Sequence, residues 1–215
     1  YKSRGYRPLW IDGSVIGSDA QAFLKILDDA GLDGLKPSRY KAQRLRKAIA
    51  EADSGDADAL ARAEVDLSRA FVRYVQDARR TKNVGVDYAD LALKPGKQSP
   101  ERVLRAAVLG KSFSHYVRSM GWMSPHYVEM REMLRTALDQ RLDAHVIDTI
   151  RLNRERARHL PPASVRHIVV DAASARLWYY QAGKQVGSMK LVVGAQEIET
   201  PLLVGSLNCE IVNPY

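Results

Sequence analysis

The chain has a single cysteine, Cys209, in 215 residues, and only three phenylalanines. One thiol excludes an intramolecular disulfide and any multi-cysteine zinc site. No unbroken apolar run approaches the length of a membrane span, and the opening residues Tyr-Lys-Ser-Arg-Gly-Tyr-Arg are not a signal peptide. Phosphate-binding glycine loops, His-Glu-x-x-His pairs and Gly-x-Ser-x-Gly elbows are missing. The histidines at 115, 126, 145, 159 and 167 are scattered without metal-ligand spacing, so none is assigned to chemistry. Cys209 itself makes a poor nucleophile. Glu210 beside it raises the thiol pKa, and no histidine lies near it in sequence to generate a thiolate. If residues 207–211 are a strand, Cys209 shares a face with Leu207 and Ile211 and is a packing thiol.

What is present is ordinary globular composition, 46% hydrophobic and 27% charged, with a formal net charge of +8. That excess is one-sided. From Pro161 onward Arg166, Arg176, Lys184 and Lys190 are cancelled by Asp171, Glu197, Glu199 and Glu210, so the whole surplus belongs to residues 1–160. A basic face suits nucleic acid, anionic lipid or an anionic wall polymer, and it also suits a plain solvated surface. No recognition-helix pattern or aromatic-basic platform favours nucleic acid.

Up to about residue 160 the periodicity is helical. Tyr6, Leu9, Trp10 and Ile11 form an apolar entry segment. Ser18 and Gln21 have capping-box spacing ahead of Phe23, Ile26, Leu27 and Ala30, with Gly31 as the expected left-handed stop. Tyr40, Leu45 and Ile49 mark a second helix. The longest stripe is Leu60, Ala63, Leu67, Phe71, Tyr74 and Ala78, expected to be the central buried helix. Residues 82–98 read as a surface crossing. Ser99-Pro100 and Ser124-Pro125 each place a cap before a first-turn proline. The second begins a periodic run through Tyr127, Met130, Leu134, Leu138, Val146 and Ile150 that ends at Pro161-Pro162.

After residue 160 the pattern changes to β-branched and aromatic runs. Arg166–Asp171, Ala175–Tyr180, Gly187–Gly194, Thr200–Gly205 and Ile211–Tyr215 are β-rich runs bounded by turn residues, which predicts consecutive antiparallel hairpins. The fold class is therefore α+β, with helical residues 1–160 followed by an antiparallel β unit over 161–215. A few short strands bury too little to stand alone. The expectation is that the chain stops inside a domain, and its non-Met start suggests a removed upstream segment.

Several segments together carry a resemblance. These are Arg-Gly-Tyr-Arg-Pro-Leu-Trp-Ile-Asp at 4–12, Ala-Gly-Leu-Asp-Gly-Leu-Lys-Pro-Ser-Arg-Tyr at 30–40 and Asn-Arg-Glu-Arg-Ala-Arg-His-Leu-Pro at 153–161. Leu-Val-Val-Gly at 191–194, Thr-Pro-Leu-Leu at 200–203 and Val-Asn-Pro-Tyr at 212–215 follow. In this order they resemble the large bacterial L,D-transpeptidases, in which a helical scaffold domain precedes a YkuD-type catalytic domain, as in YcbB-like proteins. The resemblance implies a cysteine acyltransferase of peptidoglycan biosynthesis and cell-wall biogenesis in the periplasm or cell envelope. Its partners would be peptidoglycan stem peptides, and no metal or organic cofactor is implied. The basic helical domain would make, at most, a salt-sensitive contact with anionic envelope polymer. The run from Leu134 to Ile150 leads directly into Asn153, leaving no room for the peptidoglycan-binding module that many relatives carry. The family's histidine and Ser-x-Gly-Cys-x-Arg segment are expected downstream of Tyr215, so no catalytic residue is assigned within these 215. A non-catalytic wall-binding scaffold of the same family is the alternative.

Overall fold

A computed structural model describes the chain except for residues 3, 4, 110, 111, 163, 196 and 208–215. Cys209 and the Val-Asn-Pro-Tyr segment thus lie outside the described residues. Among the described residues seven α-helices lie ahead of a three-stranded antiparallel sheet. The entry segment folds into a two-residue hairpin, β1 (Ile11–Asp12) with β2 (Val15–Ile16). Leu9 and Trp10 donate their backbone amides to the Glu64 carboxylate at 2.7 and 2.8 Å, and the Tyr1 hydroxyl also bonds Glu64. Trp10 is thereby driven inward to 1% exposure, while Tyr6 stays exposed.

Helix α1 (Ser18–Asp28) buries Phe23, Leu24, Ile26 and Leu27. The expected capping box does not form. Gly17 holds the N-cap position, where its amide is fixed to the Trp10 carbonyl at 2.7 Å. Ser18, now inside the helix, instead accepts from Arg118 Nη2 at 3.1 Å. Nor is Gly31 the left-handed stop. A 3-10 turn over Ala30–Asp33 carries the chain on to Gly34, which has φ +69°. That residue suits glycine for a second reason, because a Cβ there would sit 3.3 Å from Arg154 Nη2.

A 3-10 turn over Pro37–Tyr40 buries Tyr40 just ahead of α2 (Ala42–Ala52), whose Leu45 and Ile49 also face inward. Asp56 caps the central helix α3 (Ala57–Ala78), accepting from the Ala59 amide at 2.8 Å. Every residue of the predicted stripe from Leu60 to Ala78 is buried. All three phenylalanines gather here with two tryptophans. Ring centroids lie 5.4 Å apart for Trp10–Phe23, 4.8 Å for Trp10–Phe113 and 5.3 Å for Phe71–Trp122. The two last pairs are edge-on, the arrangement that aromatic quadrupoles favour.

Helices α4 (Pro100–Leu109) and α5 (Phe113–Arg118) close the far side of this core through Val103, Ala107 and Val117. The Ser99 and Ser124 caps form as expected. The periodic run after Ser124 is two helices rather than one. Helix α6 (Pro125–Asp139) turns through Arg141, at φ +53°, and a new cap at Asp143 starts α7 (Ala144–Ala157). Both halves keep the same periodicity, so the turn is hidden in the pattern. Leu138 and Val146, expected inside, flank it and are exposed.

Three strands form an antiparallel meander: β4 (His167–Asp171), β5 (Arg176–Gln181) and β6 (Lys184–Lys190). Ala182 and Gly183, both at positive φ, make the two-residue turn between β5 and β6. The remaining strand pair corrects the all-antiparallel expectation. Strand β7 (Leu203–Val204) pairs in parallel with β3 (Asp87–Tyr88), a piece of the 82–98 crossing. Strand periodicity fixes which residues alternate but not which neighbour they meet.

Candidate functional site

The segments 30–40 and 153–161, more than a hundred residues apart in sequence, interlock around Asp33. The 3-10 turn aims this carboxylate inward to 1% exposure. Tyr74 of α3 donates to Oδ2 at 2.6 Å, Tyr127 of α6 to Oδ1 at 2.9 Å, and Arg131 Nε to Oδ1 at 3.0 Å. Arg131 also donates to the Asp29 carbonyl at 3.2 Å. A buried carboxylate needs this degree of satisfaction, since an unpaired charge in the interior is strongly unfavourable.

From the other side, α7 presents Arg154, Glu155 and Arg158, all buried. Arg154 bonds the Leu32 carbonyl and Glu155. Arg158 reaches the Asp33 carbonyl at 2.9 Å, Glu155 Oε2 at 3.0 Å and the Ala78 carbonyl, with its guanidinium 5.0 Å from the Tyr127 ring centroid. Lys82 Nζ lies 3.4 Å from Glu155 Oε1. Arg154 Nε is buried without a hydrogen-bond partner among the described residues.

These neighbours set the protonation states. Burial, then the Asp33 charge, pushes the Tyr74 phenol well up, and the same two causes raise Tyr127. Burial pushes the Glu155 carboxyl up, but Arg158 and Arg154 together outweigh it and hold it below its ordinary value. Burial works against the Arg131 and Arg158 cations, yet Asp33 in the first case and Tyr127 with Glu155 in the second raise both. The Glu155 carboxylate is thus favoured as an anion and the Tyr74 and Tyr127 phenols as neutral donors. The hydrogen bonds and ion pairs around Asp33 and Glu155 satisfy charges that burial alone would make unfavourable.

Beside the cluster opens a cleft of about 460 Å³ lined by Asp33, Gly34, Asp77, Arg80, Lys82 and Arg158, among others. Asp77 is engaged by Arg39 Nε at 2.8 Å and by the Tyr40 hydroxyl at 3.0 Å. Among the described residues no cluster of His, Cys, Asp and Glu is arranged to hold a metal, and no helix is long and apolar enough to cross a membrane.

The fold brings together histidines that the sequence leaves apart. His126 Nε2 is 3.1 Å from the Tyr180 hydroxyl, and His167 stacks on the same phenol with centroids 5.0 Å apart. His159 Nε2 lies 3.1 Å from the Lys82 carbonyl, so it carries the proton, and Nδ1 faces the Tyr88 hydroxyl at 2.5 Å. The first group joins α6 to the meander. The second holds Tyr88 of the strand that pairs with Leu203–Val204. Separations of tens of residues gave no motif to find. His115 and His145 are exposed.

A family model described as a scaffold domain matches residues 1–134. A protein named "Putative L,D-transpeptidase" from Haemophilus influenzae is 22% identical over 217 residues, an alignment that covers 100% of this chain and 42% of that protein. The chain therefore spans less than half the length of this relative. The family match takes in the entry segment, the Asp33 turn and the central helix, and with more than half of the chain inside it, the protein belongs to the scaffold-domain family found in L,D-transpeptidases.

Proposed function

We propose that this chain is the scaffold-bearing portion of a peptidoglycan L,D-transpeptidase of the periplasm or cell envelope. Residues 1–160 are its scaffold and residues 161–215 the opening part of its catalytic domain. The observation that carries this reading is the scaffold-domain match over 1–134, supported by the relative's name. The acyl-transfer residues are proposed to stand outside the 215, since Cys209 lacks the flanks of an activated thiol. A cysteine thiolate attacks the diamino-acid carbonyl of a stem peptide. The bond to the terminal D-alanine breaks, the leaving amine takes a proton from histidine, and a thioester forms. An amine of a second stem then displaces the thiolate and completes the cross-link.

Adduct mass on the intact protein tests it. Incubation with a tetrapeptide stem and with a β-lactam that acylates this enzyme class should give a covalent adduct that survives Cys209→Ser. The adduct should be lost when a cysteine in a Ser-x-Gly-Cys-x-Arg segment is replaced. No adduct in any form would favour a non-catalytic wall-binding scaffold, and an adduct on Cys209 would overturn the assignment of the nucleophile.

A further inference from the structure

We propose that the cleft beside Gly34 is a binding subsite for a carboxylate group of a peptide, placed on the scaffold and separate from any acyl-transfer chemistry. The inference deepens the transpeptidase reading and rests on it for the ligand, a carboxylate of the peptidoglycan stem.

Charge balance is the first argument. Around the cleft Asp77 is matched by Arg39 and Asp33 by Arg131. Glu155 alone faces Arg154, Arg158 and Lys82, and Arg80 makes no ion pair among the described residues although it lines the opening. Three cations are thus left over: two of the three around Glu155, together with Arg80. A concavity lined by an excess of one charge sign focuses its field and concentrates anions.

Shape is the second argument. Gly34 has no side chain, and a Cβ at its position would lie 3.3 Å from Arg154 Nη2 and 3.5 Å from Lys82 Nζ. The missing side chain keeps the floor open towards Lys82, while Arg154 lies buried behind it. A volume of about 460 Å³ takes a small acidic group with part of its backbone. Arg80, Lys82 and the Thr81 hydroxyl supply donors along the wall, and Arg158 is held rigid at the back by its bonds to Asp33, Ala78 and Glu155. With its donors committed to those acceptors and its side chain 2% exposed, Arg158 serves the cleft as a fixed positive charge.

The choice of carboxylate over phosphate rests on Asp77. Its carboxylate stays on the wall with 22% of its side chain exposed, so a dianion entering the cleft meets more repulsion than a monoanion does. The two sources share oxyanion chemistry and are separated by experiment.

Titration calorimetry on the intact protein, at low salt, would use three probes: a tetrapeptide stem with free carboxylates, the same peptide with every carboxylate amidated, and inorganic phosphate. The free-acid peptide should bind and the amidated one should not. Arg80→Gln should weaken the free-acid peptide by about tenfold to a hundredfold, the loss of one charge-assisted contact, without moving Tm, because Arg80 has no structural partner to lose. Arg73→Gln, on the outer face of α3, should change it less than about twofold. Equal binding of the amidated peptide, equal losses in the two variants, or no loss in Arg80→Gln would each overturn the subsite. Phosphate binding tighter than the peptide in an Arg80-dependent way would overturn the carboxylate assignment. The two proposals fail separately. If the wild-type intact protein forms no β-lactam adduct but binds the peptide through Arg80, the subsite stands and the transpeptidase reading falls. An adduct with no Arg80-dependent binding gives the reverse.

Discussion

The helical part and the meander spend their apolar residues differently. In the helical part the large side chains of the core are removed from water almost completely. Phe23, Phe71, Tyr74 and Leu67 are at 0% exposure, and the buried polar cluster around Asp33 is held by ion pairs. In the meander Ile168, Val170, Tyr179 and Met189 share one face and are between 38% and 50% exposed. Both regions have the alternation proper to their secondary structure, so amphipathicity alone does not create a core. The difference lies in what meets the apolar face. Seven helices provide opposing faces for one another, whereas three strands offer a face that no described element covers.

The largest effect expected from this contrast is at Asp33. Asp33→Ala removes the buried carboxylate that Arg131 and two tyrosine hydroxyls share, leaving Arg131 only the Asp29 carbonyl and the Glu132 carboxylate, and should cost about 3 to 5 kcal/mol. Chemical denaturation followed by tryptophan fluorescence measures it, since Trp10 and Trp122 report on the helical core. A loss under about 1 kcal/mol would show that the cluster is satisfied in some other way. Next comes a paired test. Phe71→Ala should cost about 3 to 5 kcal/mol through the cavity it leaves among Trp10, Phe23 and Trp122, while Val170→Ala, half-exposed, should cost less than about 1 kcal/mol. Similar losses at the two sites would mean that the meander face is covered in solution.

Much of the helical part was legible because a 3.6-residue period maps directly onto burial. The stripe from Leu60 to Ala78 and the caps at Ser99 and Ser124 needed only local sequence. The failures were places where a distant residue decided the outcome. Ser18 was drawn to Arg118, a hundred residues away, and Gly34 replaced Gly31 because the turn must deliver Asp33 to Arg131 and leave room for Arg154. The turn after Asp139 was invisible because two helices in phase look like one. The candidate site was half visible. Its segments were singled out by resemblance, but nothing local shows that 30–40 and 153–161 touch, or that three carboxylates face six cations.

The smallest expected effect concerns how the two regions are joined. His126 of α6 meets Tyr180 of β5 and lies against His167 of β4, with Glu129 the acidic group acting on it from its own helix. Burial lowers its pKa from the ordinary 6.5, His167 lowers it further, and Glu129 only partly opposes them. Burial likewise lowers His159, against a hydrogen bond to the Lys82 carbonyl; Arg158 and Lys94 act in the same direction as burial and Glu155 against it. A histidine whose pKa is lower in the folded state binds fewer protons there than in the opened state. Its contribution to docking is therefore fully present above the ordinary histidine pKa and is lost as pH falls below it. A protonated His126 carries an N–H at Nδ1 as well as at Nε2, and Nδ1 is buried with no hydrogen-bond partner among the described residues. Hydrogen exchange corrected for its intrinsic rate should show the amides of β4 and β5 better protected at about pH 7.5 than at about pH 5.5, with the amides of α3 unchanged. His126→Gln, which cannot be protonated, should reduce that difference. Equal protection of the meander at the two pH values, or a loss shared by α3, would show that the His–Tyr contacts do not set how firmly the strands sit on the helices.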